Sequence, residues 1–217
     1  MKIFLDSSDV DEIQKAVDTG LIDGVTTNPS LMLKAGRDPR EVLMEICELF
    51  SWDSSVSAEV SGDTAEDMLD QADEYIQINP NITIKVPCTV EGLKACAALA
   101  EDEIPVNVTL IFSVAQAILA AKAGAKYVSP FVGRVDDNSF DGIDLVDQIS
   151  DIYTIQNIRK TEILAASVRD VKTVSDSFGA GAHVVTMPPS IFEKMYNHVL
   201  TDRGLYQFDM DWAKVKR

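Results

Sequence analysis

Short apolar runs alternate with longer amphipathic stretches along the whole chain, a pattern that predicts strand followed by helix, eight times over. Ile3-Phe4-Leu5 is the first strand run. Behind it Val10, Ile13 and Val17 share one helical face, with Ser8 as the expected cap and Gly20 as the stop. Asp9, Asp11 and Glu12 suit the positive end of that helix. Gly24 to Thr27 is the second run, and its helix opens at Asp38-Pro39-Arg40-Glu41, an acidic cap with proline in the first turn. The third pair is Ser55 to Val60 with Thr64 to Ile76, and the fourth is Ile82 to Pro87 with Thr89 to Glu101. Val106 to Ile111 precedes a capping box, Ser113-Val114-Ala115-Gln116, whose helix ends at Gly124. Tyr127 to Val132 leads through a polar loop to an amphipathic segment from about Ile143 to Tyr153. Ile163 to Ala166 is followed by Val171, Val174 and Phe178 at helical spacing, and His183 to Met187 by a second box, Ser190-Ile191-Phe192-Glu193.

Eight such units in 217 residues, without a domain-scale linker, predict an α/β fold: a single (β/α)8 TIM barrel domain over residues 1–217. A doubly wound sheet is the alternative, but the chain has no glycine-rich dinucleotide turn after its first strand. Residues 207–217, with Trp212 among charges, read as an extra C-terminal helix, an arm that packs on the barrel or on a neighbour.

Composition narrows the function. Lys and Arg total 19 against 35 Asp and Glu, a net charge of −16, which repels nucleic acid and anionic membranes. Small phosphates are repelled too, so a phosphate site needs cations placed locally. No stretch approaches the ~20 apolar residues of a membrane span. Cys47, Cys88 and Cys96 cannot all pair within one chain and have no metal-ligand spacing, which fits the reducing cytosol. His183 and His198 stand far apart, so no metal site is expected.

The chemistry gathers at strand ends. Ile82-Thr83-Ile84-Lys85-Val86-Pro87 carries one cation in a run otherwise read as buried on both faces. An apolar interior disfavours an ammonium, and the free amine is the form that attacks a carbonyl carbon to make a Schiff base. The plain alternative is a lysine that packs its stem and sends its head to water. The other strand ends decide between them. They carry Asp6, Thr26 with Asn28, Glu59, Asn107 with Thr109, Ser129, and Ser167. Arg134 and Arg169 follow just beyond strands six and seven. In a barrel of this kind the active site lies at the carboxyl ends of the strands, and burying such groups by default is costly. Lys2 and Glu162, at the amino ends, read as solvated caps; Cys88, Tyr127 and Phe112 read as packing, and Phe131 as a pocket wall. The set suits aldol chemistry through an imine. Lys85 attacks a ketone, Asp6 takes the proton from the departing carbon's hydroxyl, and Glu59 with a water on Thr109 shuttles protons during dehydration. Asn28, Asn107 and Ser129 are expected to bond polyol hydroxyls, and Arg134, Ser167 and Arg169 a phosphate.

Five segments together resemble the transaldolases: Gly24 to Ser30, Lys85-Val86-Pro87, Asn107 to Ser113, Ser129 to Arg134 and Ala165 to Arg169. The chain's length is similar to that of the small subfamily that also holds the fructose-6-phosphate aldolases. The resemblance implies a (β/α)8 barrel with Lys85 as the Schiff-base lysine, Asp6 and Glu59 as acid–base groups, and Arg134, Ser167 and Arg169 on the substrate phosphate. It implies no metal and no organic cofactor, sugar-phosphate substrates, and a homo-oligomer of rings of five that stack into ten. Similar aldolases carry glutamine and tyrosine where this chain has Glu59 and Phe131, so both positions match the transferase. The rivals are a fructose-6-phosphate aldolase that releases free dihydroxyacetone, and a sugar-phosphate-binding oligomeric barrel without catalysis. Plain proton transfer, as in an isomerase, would not need the lysine.

Overall fold

A computed structural model describes residues 1–51 and 54–215. Its eight strands are β1 (Lys2–Asp6), β2 (Gly24–Thr26), β3 (Ser55–Glu59), β4 (Ile82–Pro87), β5 (Val106–Ile111), β6 (Tyr127–Pro130), β7 (Glu162–Ala165) and β8 (Val184–Met187). They pair in chain order, all parallel, and β8 closes on β1 through Ile3 opposite Val185. The predicted TIM barrel is the observed fold.

The helices are α1 (Val10–Val17), α2 (Pro29–Ala35), α3 (Pro39–Glu48), α4 (Ala65–Ile76), α5 (Val90–Glu101), α6 (Val114–Lys122), α7 (Val132–Asp137), α8 (Gly142–Ile155), α9 (Val171–Gly179), α10 (Pro189–Met195) and α11 (Val199–Val215). No described helix is long and apolar enough to cross a membrane. Several boundaries differ from the sequence pattern, each for a local reason. Asn28-Pro29 is a helix start: the Asn28 side chain accepts from the Leu31 amide at 3.0 Å, with Pro29 in the first turn. The expected end of strand six and the polar loop after it are instead α7. Asp9, not Ser8, caps α1 by accepting from the Glu12 amide at 3.0 Å, while Ser8 donates to the Leu31 carbonyl. The Ser190 box does not form, because α10 begins at Pro189 with Pro188 at its cap. The arm starts at Val199 rather than at residue 207, and its last two residues lie outside the described ones.

Strand alternation separates two interiors. Val25, Val56, Ile84, Val86, Val108 and Val185 turn outward into one large apolar cluster beneath the helices. Inside the barrel, Phe4, Tyr127, Leu164 and Val184 form a small apolar plug. Phe4 meets Tyr127 edge to face, ring centroids 5.8 Å apart. Gly24 makes room for it, since a Cβ there would lie 2.9 Å from the Phe4 ring and 2.4 Å from the Ser55 carbonyl. The rest of the lumen is polar and hydrogen-bonded. Ser55 and Thr83 share a bond of 2.7 Å, and Asn107 Nδ2 donates to Ser57 Oγ at 3.3 Å. Strands read as apolar on both faces are therefore apolar toward the helices and largely polar toward the axis.

The amino-terminal rim also differs from expectation. Lys2 and Glu162 are not plain solvated caps but an ion pair of 2.8 Å, joined by Lys126 at 3.3 Å. Both ammonium groups lie over the Tyr127 ring, 5.9 and 5.8 Å from its centroid. Burial alone pushes the Glu162 carboxyl up, but the two lysines outweigh it and hold it below the usual range. Phe112 is not core. It is 40 % exposed and meets Phe131 edge to face at 5.7 Å.

Candidate active site

Lys85 points into the lumen near its carboxyl end and is buried. Its surroundings are not the apolar ones its strand pattern implies. Nζ lies 2.8 Å from Glu59 Oε2 and donates to the Thr27 carbonyl at 2.9 Å. The β3–β4 register sets this pair, since Glu59 and Lys85 are direct neighbours across the ladder. Removing one member would strand the other charge, at a cost of about 3–5 kcal/mol. The amine also lines a central cavity of about 120 Å³. That volume takes the reacting end of a small molecule, with the remainder left in the barrel mouth.

Asp6 reaches the same cavity from β1. Thr26 Oγ1 donates to its Oδ1 at 2.8 Å and shares a 2.7 Å bond with Thr186. Burial pushes the Asp6 carboxyl up. The Thr26 bond and the Lys85 charge pull the other way without cancelling it, and the Glu59 charge adds to the rise. A carboxyl raised in this way holds a proton more readily than a surface aspartate does, which suits acid–base exchange.

Nine of the twelve residues expected at the site line this cavity. The three that do not are informative. Asn107 has no exposed surface; its side chain donates to Ser57 and accepts from Ser129 Oγ at 2.7 Å, so it holds Ser129 from below. Glu59 opens instead onto a neighbouring groove of about 390 Å³ shared with Asn28, Gln71 and Tyr75. It therefore stands between that groove and Lys85. Arg169 pairs on the rim with Asp137, while Arg134 lines the cavity with its guanidinium 4.9 Å from the Phe131 ring centroid.

Backbone strain accompanies the site. Thr109 Oγ1 is buried and meets no hydrogen-bonding partner among the described residues, which leaves it free to hold a water or a ligand hydroxyl. The next residue, Leu110, has φ of 60°, and the β5–β6 register shifts between Val108 and Ile111. Such a bulge re-aims side chains, and the left-handed conformation of a leucine costs on the order of 1–3 kcal/mol. Ser167, also lining the cavity, has φ of 60°. Gly133 permits the approach of α7 to it, since a Cβ there would sit 2.2 Å from the Ser167 carbonyl. Cys88 stays a packing residue, its thiol pushed up by burial.

Sequence reasoning missed Thr186, which lines the cavity and bonds Thr26. The alternation Val184-Val185-Thr186-Met187 held the signal, since Thr186 shares the inward face with Val184.

The sequence model of the Transaldolase/Fructose-6-phosphate aldolase family matches residues 3–217. The chain is 53 % identical over 215 residues to a protein of Paracoccus denitrificans named probable transaldolase, covering 99 % of this chain and 98 % of the relative. It is 52 % identical to a probable transaldolase of Caulobacter vibrioides over the same shares. It is also 51 % identical to one of Chelativorans sp., again covering 99 % and 98 %.

The raised Asp6 carboxyl has a measurable consequence. Ionising it costs folding energy, so the proton it keeps stabilises the folded state at low pH, and that contribution is lost as pH rises through the raised folded value. Asp6→Asn keeps the Thr26 bond without the charge. Its Tm should exceed that of wild type at neutral pH by about 2–4 °C, the shift roughly 1 kcal/mol gives a domain of this size, and match it near pH 3. Equal melting temperatures at both pH values would show that the buried charge is not costly.

Proposed function

The chain belongs to the transaldolase/fructose-6-phosphate aldolase family and is an enzyme of the aldolase and transaldolase type; on that premise we propose that it is a transaldolase. It moves a dihydroxyacetone unit between a ketose phosphate and an aldose phosphate through a Schiff base on Lys85. The observation that carries this reading is the buried Lys85 amine, 2.8 Å from Glu59, in a cavity that Asp6 also lines.

Lys85 Nζ adds to the C2 carbonyl of fructose 6-phosphate or sedoheptulose 7-phosphate, and the oxygen becomes the carbinolamine hydroxyl. Glu59 receives the amine's proton, and a proton returned through a water on Thr109 lets that hydroxyl leave as water. The resulting iminium draws the electrons of the C3–C4 bond as Asp6 takes the C4 hydroxyl proton. The aldose phosphate departs and a three-carbon enamine stays on Lys85. An incoming glyceraldehyde 3-phosphate or erythrose 4-phosphate reverses these steps, and water then frees the lysine. The iminium is itself the electron sink, so the scheme calls on no metal or organic cofactor. Thr26, Asn28 and Ser129 bond substrate hydroxyls, with Asn107 fixing Ser129, and Arg134, Ser167 and Arg169 hold the phosphate at the mouth.

Phe131 favours transfer over simple cleavage. Its ring lines the cavity and offers no hydroxyl to activate a water against the enamine, so the intermediate waits for an aldehyde. Glu59, where similar aldolases have glutamine, points the same way.

The oligomer follows from the same resemblance and from α11. That helix buries no residue, and Leu205, Tyr206, Phe208 and Trp212 are all exposed. A contiguous apolar surface of this kind marks an interface, and we propose a second copy of this chain as its cover.

Borohydride added with fructose 6-phosphate should fix a three-carbon mass on Lys85, and Lys85→Met should lose both label and turnover. Retained turnover in that variant removes the Schiff base. Fructose 6-phosphate cleavage should depend on added erythrose 4-phosphate; free dihydroxyacetone without acceptor would indicate the aldolase, and binding without turnover a non-catalytic barrel. Phe131→Tyr should raise free dihydroxyacetone release relative to transfer by about tenfold, the ~1.4 kcal/mol of a well-placed hydrogen bond. Sedimentation should give a multiple of the 23.8 kDa chain that Phe208→Glu with Trp212→Glu dissociates. A wild-type monomer would end the assembly proposal.

A further inference from the structure

Arg169 is assigned above to the substrate phosphate, yet its guanidinium is already engaged. Nη1 and Nη2 each donate to one carboxylate oxygen of Asp137, fork to fork. On its other edge, a Cβ built on Gly133 would lie 3.1 Å from Nε and 3.4 Å from Cδ, so the stem rests against the backbone of α7. The end of the guanidinium best shaped to grip a phosphate is thus filled by a carboxylate of the chain itself. Asp137 is the last residue of α7, one turn after Arg134, whose guanidinium lines the cavity. Of the two arginines expected at the phosphate, one faces the ligand space and the other is held on the rim.

We propose that Asp137 is an internal competitor for the substrate phosphate, one that must release Arg169 before both arginines can close on the ligand. The proposal rests on the phosphate reading of Arg169 given above. The pair is exposed on both sides, and exposed ion pairs contribute at most about 1 kcal/mol, so the exchange is cheap. A phosphate dianion brings more charge and more acceptor oxygens than a carboxylate and displaces it. A monoanion or a carboxylate ligand gains little over Asp137 and does not. The device therefore selects dianionic phosphate esters, and it returns Arg169 to the rim when the product leaves.

Two simpler roles are separable from this one. In one, Asp137 is never exchanged and only orients Arg169; in the other, its charge repels anions from a distance. Inorganic phosphate binding, followed by 31P NMR titration at fixed ionic strength, distinguishes them in wild type, Asp137→Asn, Arg169→Ala and the double variant. Release of the competitor should tighten phosphate binding about two- to fivefold in Asp137→Asn, the range an exposed pair spans. That gain should vanish in the Arg169→Ala background. Weaker binding in Asp137→Asn would make Asp137 an orienting residue and overturn the proposal. An equal gain with and without Arg169 would reduce it to a field effect and overturn it as well. Unchanged phosphate affinity in Arg169→Ala alone would remove Arg169 from the phosphate site, a failure of the earlier reading rather than of the competition.

Discussion

One ion pair organises the lumen of this barrel. Lys85 and Glu59 lie side by side on adjacent strands, 2.8 Å apart and largely withdrawn from water. Neither charge is tolerable there alone. Their mutual bond, with the Thr27 carbonyl as a further acceptor, lets an amine sit where a small electrophile can reach it. The same contact gives the amine a base within hydrogen-bond reach. A stabilising interaction and a proton-transfer partner are thus one contact.

The polar lumen follows from that requirement. A wholly apolar interior would leave Asp6, Glu59 and Lys85 with little to bond, so the inward positions carry Ser, Thr and Asn. Asp6 bonds Thr26, which bonds Thr186; Ser129 bonds Asn107, which bonds Ser57. Each link satisfies a buried polar group and fixes the rotamer of the next. Apolar stabilisation is left to the outer cluster under the helices and to the plug of Phe4, Tyr127, Leu164 and Val184, which meets the cavity at Leu164. At the site itself the left-handed backbone falls at Leu110 and Ser167. The fold thus divides its labour along the barrel axis, with apolar packing below and the polar, reactive groups above.

Much of this was legible in the chain. The eight strand–helix alternations gave the barrel, because each run had the length and bounding residues of its element. Strand ends pointed to the residues at the mouth, and nine of the twelve do line the cavity. What sequence could not supply is relative placement in three dimensions. The pairing of Lys85 with Glu59 depends on strand register, and that of Arg169 with Asp137 on a six-residue helix, α7, read as the end of a strand and a loop. Lys2 and Glu162 read as solvated from their places at the amino ends of strands, yet β8 is the only strand between theirs in the closed sheet, which brings them together. The inward Thr186 of β8 is followed by Met187, so the end of that strand is apolar and gives no sign of it.

The acidity of the chain meets the phosphate question at short range. A net charge of −16 repels anions, but at physiological ionic strength screening confines each surface charge to about 8 Å. The potential at the mouth is therefore set by its own residues. Arg134 stacks over the Phe131 ring and lines the cavity. Arg169 is paired on the rim with Asp137. A rim with both cations bare would attract every small anion in solution. On the reading proposed here, with one cation free and the other matched to a weak internal partner, only a ligand that brings two charges gains the second, and a strongly acidic surface and a selective phosphate site are then compatible in one small barrel.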